Sequence, residues 1–160
     1  MDHNTSNDTT FMQLALSLAH SAGEQGEVPV GAILTMGEEI IAEGTNSPIS
    51  SHDPTAHAEI IALRKAARKI GNYRLPGATL YVTLEPCIMC MGAIIHARLE
   101  RVVFGAFDPK TGAAGSRYAI GSDGLLNHNL KITGGICKVE CSSLLKAFFK
   151  ARRNNFQSPY

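Results

Sequence analysis

The sequence contains no tryptophan, and no lysine or arginine occurs before Arg64. No apolar run approaches the roughly 18 residues that a membrane span needs. The opening stretch, Met1 to Thr10, is polar and lacks the basic and apolar regions of a secretory signal. The expectation is therefore a cytoplasmic protein with no membrane partner. Cysteine is scarce as well. Four in 160 residues are too few for a disulfide framework, which leaves reduced thiols or metal ligands. Charged residues amount to only 18% against 44% hydrophobic, which excludes a disordered chain. No internal repeat or low-complexity tract is present. The length suits one domain over 1–160, with its core at about 9–153.

The near-neutral total conceals an uneven distribution of charge. Nine acids stand before Arg64, whereas all 15 basic residues lie from Arg64 onward against only five acids. The last acid is Glu140, and beyond it come Lys146, Lys150, Arg152 and Arg153. Such an end can meet a polyanion. It also fits a solvated helix face whose cations complement the helix dipole.

Apolar residues at Phe11, Leu14, Ala15, Leu18, Ala19 and Ala22 follow helical spacing, with Asp8, Thr9 or Thr10 as candidate N-caps. Two β-rich runs, from Val30 and from Ile40, flank a hairpin turn at Met36-Gly37-Glu38. Helical spacing returns from His57 to Ile70 and stops at Gly71. Strands at Thr79–Thr83 and Arg101–Gly105 enclose a helix from Pro86 to about Ala97. A fifth strand begins at Leu130, and Leu144, Leu145, Phe148 and Phe149 mark a final amphipathic helix. The order α-β-β-α-β-α-β-(α)-β-α, with an optional helix before the fifth strand, implies an α/β domain with helices on both faces of one sheet.

Cys87-Ile-Met-Cys90 follows a strand and opens a helix. Its i, i+3 spacing puts both sulfurs on one face, and the positive helix end favours thiolates. A redox pair uses the same spacing, so the motif alone is ambiguous. His57-Ala-Glu59 also opens a helix. One imidazole and two thiolates make three ligands with an open fourth position, the pattern of a catalytic zinc site, and one Zn²⁺ per chain is expected. Glu59 lies two residues from His57, so the two side chains would diverge by about 200° in a regular helix. That makes Glu59 a neighbour of the metal's water rather than a ligand. Two thiolates and a neutral histidine cancel the zinc charge and acidify water less than three histidines, so a carboxylate base is needed nearby. A rival set, Cys87 and Cys90 with Cys137 and Cys141, would be a structural Cys₄ site, although lone cysteines such as the latter two are more often small core residues.

Asp53-Pro-Thr-Ala-His-Ala-Glu-Ile, together with Thr79-Leu-Tyr-Val-Thr-Leu-Glu-Pro-Cys-Ile-Met-Cys, resembles the zinc-dependent nucleobase deaminases of the cytidine/deoxycytidylate superfamily. Within them the chain is similar to the bacterial tRNA adenosine deaminase branch, from about Phe11 to Arg153. Gly26-Glu-Val-Pro-Val-Gly-Ala, Glu43-Gly-Thr-Asn46, Asn72-Tyr-Arg-Leu, Val103-Phe-Gly-Ala, the Asp108 to Ser116 loop and Asn127-His128 agree with it. Thr45 and Ser51 depart from common choices of the family, as does the absence of Trp. The resemblance implies a three-layer α/β/α, cytidine deaminase-like fold with a five-stranded mixed sheet. It also implies hydrolytic conversion of the wobble adenosine of a tRNA anticodon loop to inosine, by zinc-activated water and a proton shuttle at Glu59. By the same likeness Asn46 hydrogen-bonds the base, Val30 and Leu84 line its pocket, and Asp108 and Lys110 lie near the RNA backbone. Phe149, rather than Phe148, is assigned to the substrate, since an aromatic beside Arg152 and Arg153 suits a splayed nucleotide. The family pairs its subunits around the metal helix. Ile88, Met89, Met91, Ile94 and Ile95 exceed what one internal face requires, so a homodimer is expected. Two alternatives stay open: a free-base or nucleoside deaminase acting on guanine or cytosine, and a silent RNA-binding subunit with structural zinc. The first would not need the basic end, and the second has no use for Glu59.

Overall fold

The computed structural model describes residues 3–155, with side chains from Ser6 onward. Five strands form one sheet in the order β2-β1-β3-β4-β5. β1 (Gly31–Met36) and β2 (Glu39–Thr45) make an antiparallel hairpin, and β3 (Ala78–Leu84) lies antiparallel to β1 on its other side. From β3 outward the sheet is parallel, through β4 (Arg101–Ala106) and β5 (Lys131–Gly134). The interior strands read as continuous apolar runs because both faces are covered. One face carries α3 (Ala58–Ile70) and α4 (Ile88–His96), and the core there is built on Leu34, Leu80, Val82, Met91 and Ile94. The other carries α1 (His3–Glu24) and α5 (Lys138–Asn155), packed on Ile33, Tyr81 and Val103 through Met12, Ala15 and Cys141. This is the expected three-layer arrangement with a mixed sheet.

Several details differ from expectation. α1 starts at His3, so Asp8 sits inside the helix and is no cap. Buried at 3% exposure, it takes both guanidinium nitrogens of Arg101 at 2.8 and 2.7 Å and the Tyr81 hydroxyl at 3.0 Å. Burial, and then the Asp8 charge, push the Tyr81 phenol well above its usual range. This network ties α1 to the starting end of β4, away from the site described below. Among the described residues no helix lies between β4 and β5. The 107–130 stretch turns instead, with Gly115, Gly121 and Gly124 at positive φ and Asp108 and Asp123 accepting from nearby backbone N–H groups. A short helix α2 (Pro48–Ser51), with Pro in its first turn, has no counterpart among the expected elements. Met91, Ile94 and Ile95 are core residues, which leaves Ile88 as the exposed apolar side chain of α4.

One close approach sets the height of α3 above the sheet. A Cβ on Gly44 would collide with the Ala58 carbonyl oxygen. Only glycine lets β2 lie directly under the first turn of α3, and that turn carries the chemistry. Among the described residues no helix is long and apolar enough to cross a membrane.

Candidate active site and metal centre

β3 ends at Leu84, and the chain turns through Glu85-Pro86 into α4, whose N-cap is Cys87 with extended backbone (φ −79°, ψ 178°). His57 is the N-cap of α3 and is also extended (φ −71°, ψ 152°). Both motifs thus place their first donor just outside a helix. This resolves the 200° problem, because His57 is not helical and Glu59 in the first turn can face the same space. The approach to His57 is fixed by Asp53, whose Oδ1 accepts the Thr55 N–H at 2.8 Å and the Thr55 hydroxyl at 2.7 Å. Those Thr55 bonds hold the Asp53 carboxyl below its ordinary value, with Arg64 adding to the effect at 3.5 Å.

His57 Nδ1 lies 3.7 Å from Cys87 Sγ and 3.5 Å from Cys90 Sγ, and all three donor atoms fall within 4.8 Å of one another. Tetrahedral zinc with usual bond lengths separates a nitrogen and a sulfur donor by about 3.6 Å, so the residues fit the metal. They form the one such group of three or more His, Cys, Asp and Glu among the described residues. The Cys₄ alternative is not formed: Cys141 is buried on the opposite face of the sheet. Burial pushes its thiol up to about 12, and the Cys137 thiol is raised by burial too. Cys87 is drawn down to about 4, first by the Cys90 thiol that donates to it and then, against its burial, by His57. The Cys90 thiol is raised correspondingly, by that same bond and by burial, while the bond to Cys87 raises His57. A metal bound by these three groups would compete with protons for them.

The donors open into a cavity of about 220 Å³ lined by Val28, Val30, Asn46, His57, Glu59, Leu84, Glu85, Cys87, Asp108 and Thr111. Pockets for drug-sized ligands measure roughly 300–1,000 Å³, so this smaller space suits a single base rather than a whole nucleotide. Glu59 is only 4% exposed, and burial raises its affinity for a proton. Val30 and Leu84 form apolar wall. Among the described residues none hydrogen-bonds the Asn46 side chain, which leaves its amide available to a ligand. The segment after Asn46 is held by buried Glu27, whose Oε1 accepts the Ile49 N–H at 2.8 Å.

The structure brings Val30, Asn46, His57, Glu59, Leu84, Cys87 and Asp108 to this cavity, with Cys90 buried beside it. The other expected contacts lie elsewhere. Lys110, Phe149 and Arg153 line a neighbouring groove with Lys146 and Leu145, and the two spaces share Asp108 and Thr111. Arg152 faces the Phe148 ring at 5.5 Å and is not in the groove lining. Asp108 spends its oxygens on its own turn, accepting from the N–H groups of Lys110 and Thr111 and from the Thr111 hydroxyl at 2.7 Å. Burial opposes its charge, but the Thr111 and Lys110 bonds prevail and lower it. Val28, Glu85 and Thr111 are lining residues that sequence reasoning misses; Glu85 adjoins the cysteine motif, and that adjacency is the available signal.

A sheet of this topology, with a histidine and two cysteines at paired helix starts around a buried glutamate, is the architecture of one enzyme class. The chain belongs to the cytidine and deoxycytidylate deaminase zinc-binding family, whose model matches residues 5–106. Within it, the tRNA-specific adenosine deaminase of Haemophilus influenzae is 55% identical over 147 residues, covering 91% of this chain and 85% of that protein. The Bacillus subtilis enzyme of the same name is 44% identical, covering 91% of each. A solved tRNA:A34 deaminase, studied for A-to-I editing at the wobble position of transfer RNA, superposes with a TM-score of 0.82. It is 46% identical over 86% of this chain and 99% of that one. A guanine deaminase from Nitrosomonas europaea, 24% identical over 88% of this chain and 83% of that one, has a TM-score of 0.77 and shares the fold.

Proposed function

We propose that this protein hydrolyses the wobble adenosine of a tRNA anticodon loop to inosine, releasing ammonia. The observation that carries the reading is the base-sized cavity in which three metal donors and a buried carboxylate meet, open beside a groove bearing Lys110, Lys146 and Arg153. The relatives' shared activity supports it.

His57, Cys87 and Cys90 would hold a zinc ion, which when bound would supply the acidity that makes water a nucleophile near neutral pH. Glu59 takes one proton of the attacking water and gives it to N1 of the adenine ring, where inosine keeps it, and then passes the remaining proton of the added hydroxyl to the departing nitrogen. The water oxygen ends on C6 and the amine leaves as ammonia, so atoms and protons balance. Burial favours this role, since it strengthens the hold of Glu59 on a proton in transit. Asn46 offers its amide to the base edge, and Val30 and Leu84 exclude water around the ring. Asp108 stands where the cavity meets the groove and Lys110 lines that groove, along which the sugar and phosphate of a flipped nucleotide would pass. Phe149, 42% exposed beside Arg153, is placed to stack a neighbouring base. A second copy of the chain is proposed to cover the apolar groove of Ile60, Leu63, Tyr73 and Ala93 between α3 and α4, and the enzyme is proposed to act in the cytoplasm.

The test is a substrate panel. Zinc-loaded protein should release ammonia from an anticodon stem-loop carrying adenosine at the wobble position, and far more slowly from guanine, cytidine or free adenosine. Faster turnover of a free base or nucleoside overturns the reading.

The basic end gives a second expectation. If Arg152 and Arg153 bind phosphates, Arg152→Ala with Arg153→Ala weakens stem-loop binding. Each arginine–phosphate pair removed flattens the plot of log K against log salt by about 0.7. Both side chains are exposed, so the fold should change by about 0.5 kcal/mol or less. Titrations across a salt series check this, and an unchanged slope would make the basic end a solvated helix face.

A further inference from the structure

Glu85 lies between cavity-lining Leu84 and the metal donor Cys87, and its carboxylate is buried at 3% exposure with no cation bonded to it among the described residues. Four donors converge on it from one loop. Oε1 accepts the Asp108 N–H at 3.1 Å and the Ser116 hydroxyl; Oε2 accepts the N–H groups of Ala114 and Ser116, each at 3.1 Å. Two further bonds fasten the same corner: the Ala113 N–H donates to the Pro86 carbonyl at 2.8 Å, and the Glu85 N–H donates to the Ala106 carbonyl at 2.9 Å. The fit leaves no slack. A Cβ on Gly112 would collide with the Glu85 carboxyl group and with the Asp108 carbonyl oxygen.

The loop gripped in this way carries Asp108 and Thr111, the two residues that wall both the metal-facing cavity and the basic groove. We infer that Glu85 is a positioning residue: it references the Asp108–Ser116 loop to the metal donor two residues ahead, and so sets the distance between the base pocket and the surface that takes the flanking RNA. A carboxylate is required for this. A glutamine of the same shape would turn an amide N–H₂ toward two of the four donors and break their bonds. The chemistry needs no proton from Glu85, because both its oxygens are occupied by the loop.

The inference rests on the RNA-editing reading of this site, and its test is chosen to separate the two. Zinc-loaded full-length E85Q is compared with the unmodified protein on the anticodon stem-loop, together with backbone amide exchange in the absence of RNA. The amides facing the new N–H₂, either that of Asp108 or those of Ala114 and Ser116, should exchange about tenfold faster or more, and KM should rise about tenfold as those bonds break. Zinc content should stay the same and kcat should change far less than KM. Unchanged protection of those amides, an unchanged KM, a fall in kcat alone, or release of zinc overturns the proposal. If E85Q does not fold, Ser116→Ala removes one donor only. It should raise KM about threefold with zinc retained, and no rise would overturn the proposal. Failure of the unmodified protein to edit RNA defeats the functional reading instead, and amide exchange then decides the bracing by itself.

Discussion

Glu59→Ala should abolish nearly all turnover while leaving zinc content, fold and RNA binding intact. Loss of a general acid-base group costs about 10²- to 10⁴-fold, and the loss should be at least that large here. Two features make it larger than average. The donor set of two thiolates and one imidazole neutralises the charge of zinc, so the metal by itself acidifies water weakly and the carboxylate must take more of the proton. The residue is also buried, so bulk water has poor access to act in its place. Stability should not suffer, because burial works against the charge of Glu59 and alanine is a good residue in the first turn of α3. Metal analysis, thermal melting and single-turnover deamination check the three parts. A variant that remains active, or that loses its zinc, contradicts the assignment of Glu59 as proton shuttle rather than ligand.

Removing a ligand should act on structure as well as chemistry. Purified protein should hold about one zinc per chain, and Cys87→Ala or Cys90→Ala should lose it together with activity and much stability, since metal binding free energy is added to folding free energy. Cys87 and His57 cap their helices without a side-chain cap bond, so these two helix starts depend on what the donors hold. A strong chelator should lower the melting temperature of the unmodified protein and leave that of the cysteine variants unmoved. Cys137→Ala and Cys141→Ala should keep full zinc. Cys141→Ala loses some packing, because its thiol is buried against Gly105 of β4. Metal retention in both Cys87 and Cys90 variants, or metal loss on changing Cys137 or Cys141, would move the site elsewhere.

Much of this arrangement is legible in the sequence because it is local. Cys87 and Cys90 are one helical turn apart, His57 and Glu59 share a helix start, and the strands alternate with helices at spacings that leave few topologies. What is not legible depends on partners far along the chain. Asp8 reads as a helix cap from its neighbours, yet Arg101, 93 residues away, pulls it into a buried ion pair. Glu85 reads as part of a motif, yet its partners arrive from Asp108 to Ser116, and only the folded loop shows four donors on one carboxylate. Met91, Ile94 and Ile95 read as surplus apolar surface because helix periodicity cannot tell how deeply a nine-residue helix sinks into the core. Family likeness groups Lys110 and Arg152 with the other substrate residues. The structure puts Lys110 in the adjoining groove and Arg152 over Phe148.

Sequencing of treated tRNA shows whether these donors and Glu59 serve adenosine in an anticodon loop. A transcribed tRNA with adenosine at the wobble position is incubated with the zinc-loaded protein, reverse-transcribed and sequenced, with Glu59→Ala in parallel. The wobble position alone should read as guanosine after treatment, the signature of inosine, and the variant should leave it as adenosine. Unchanged adenosine at that position with protein that holds its zinc, or equal conversion by the variant, would contradict the claim.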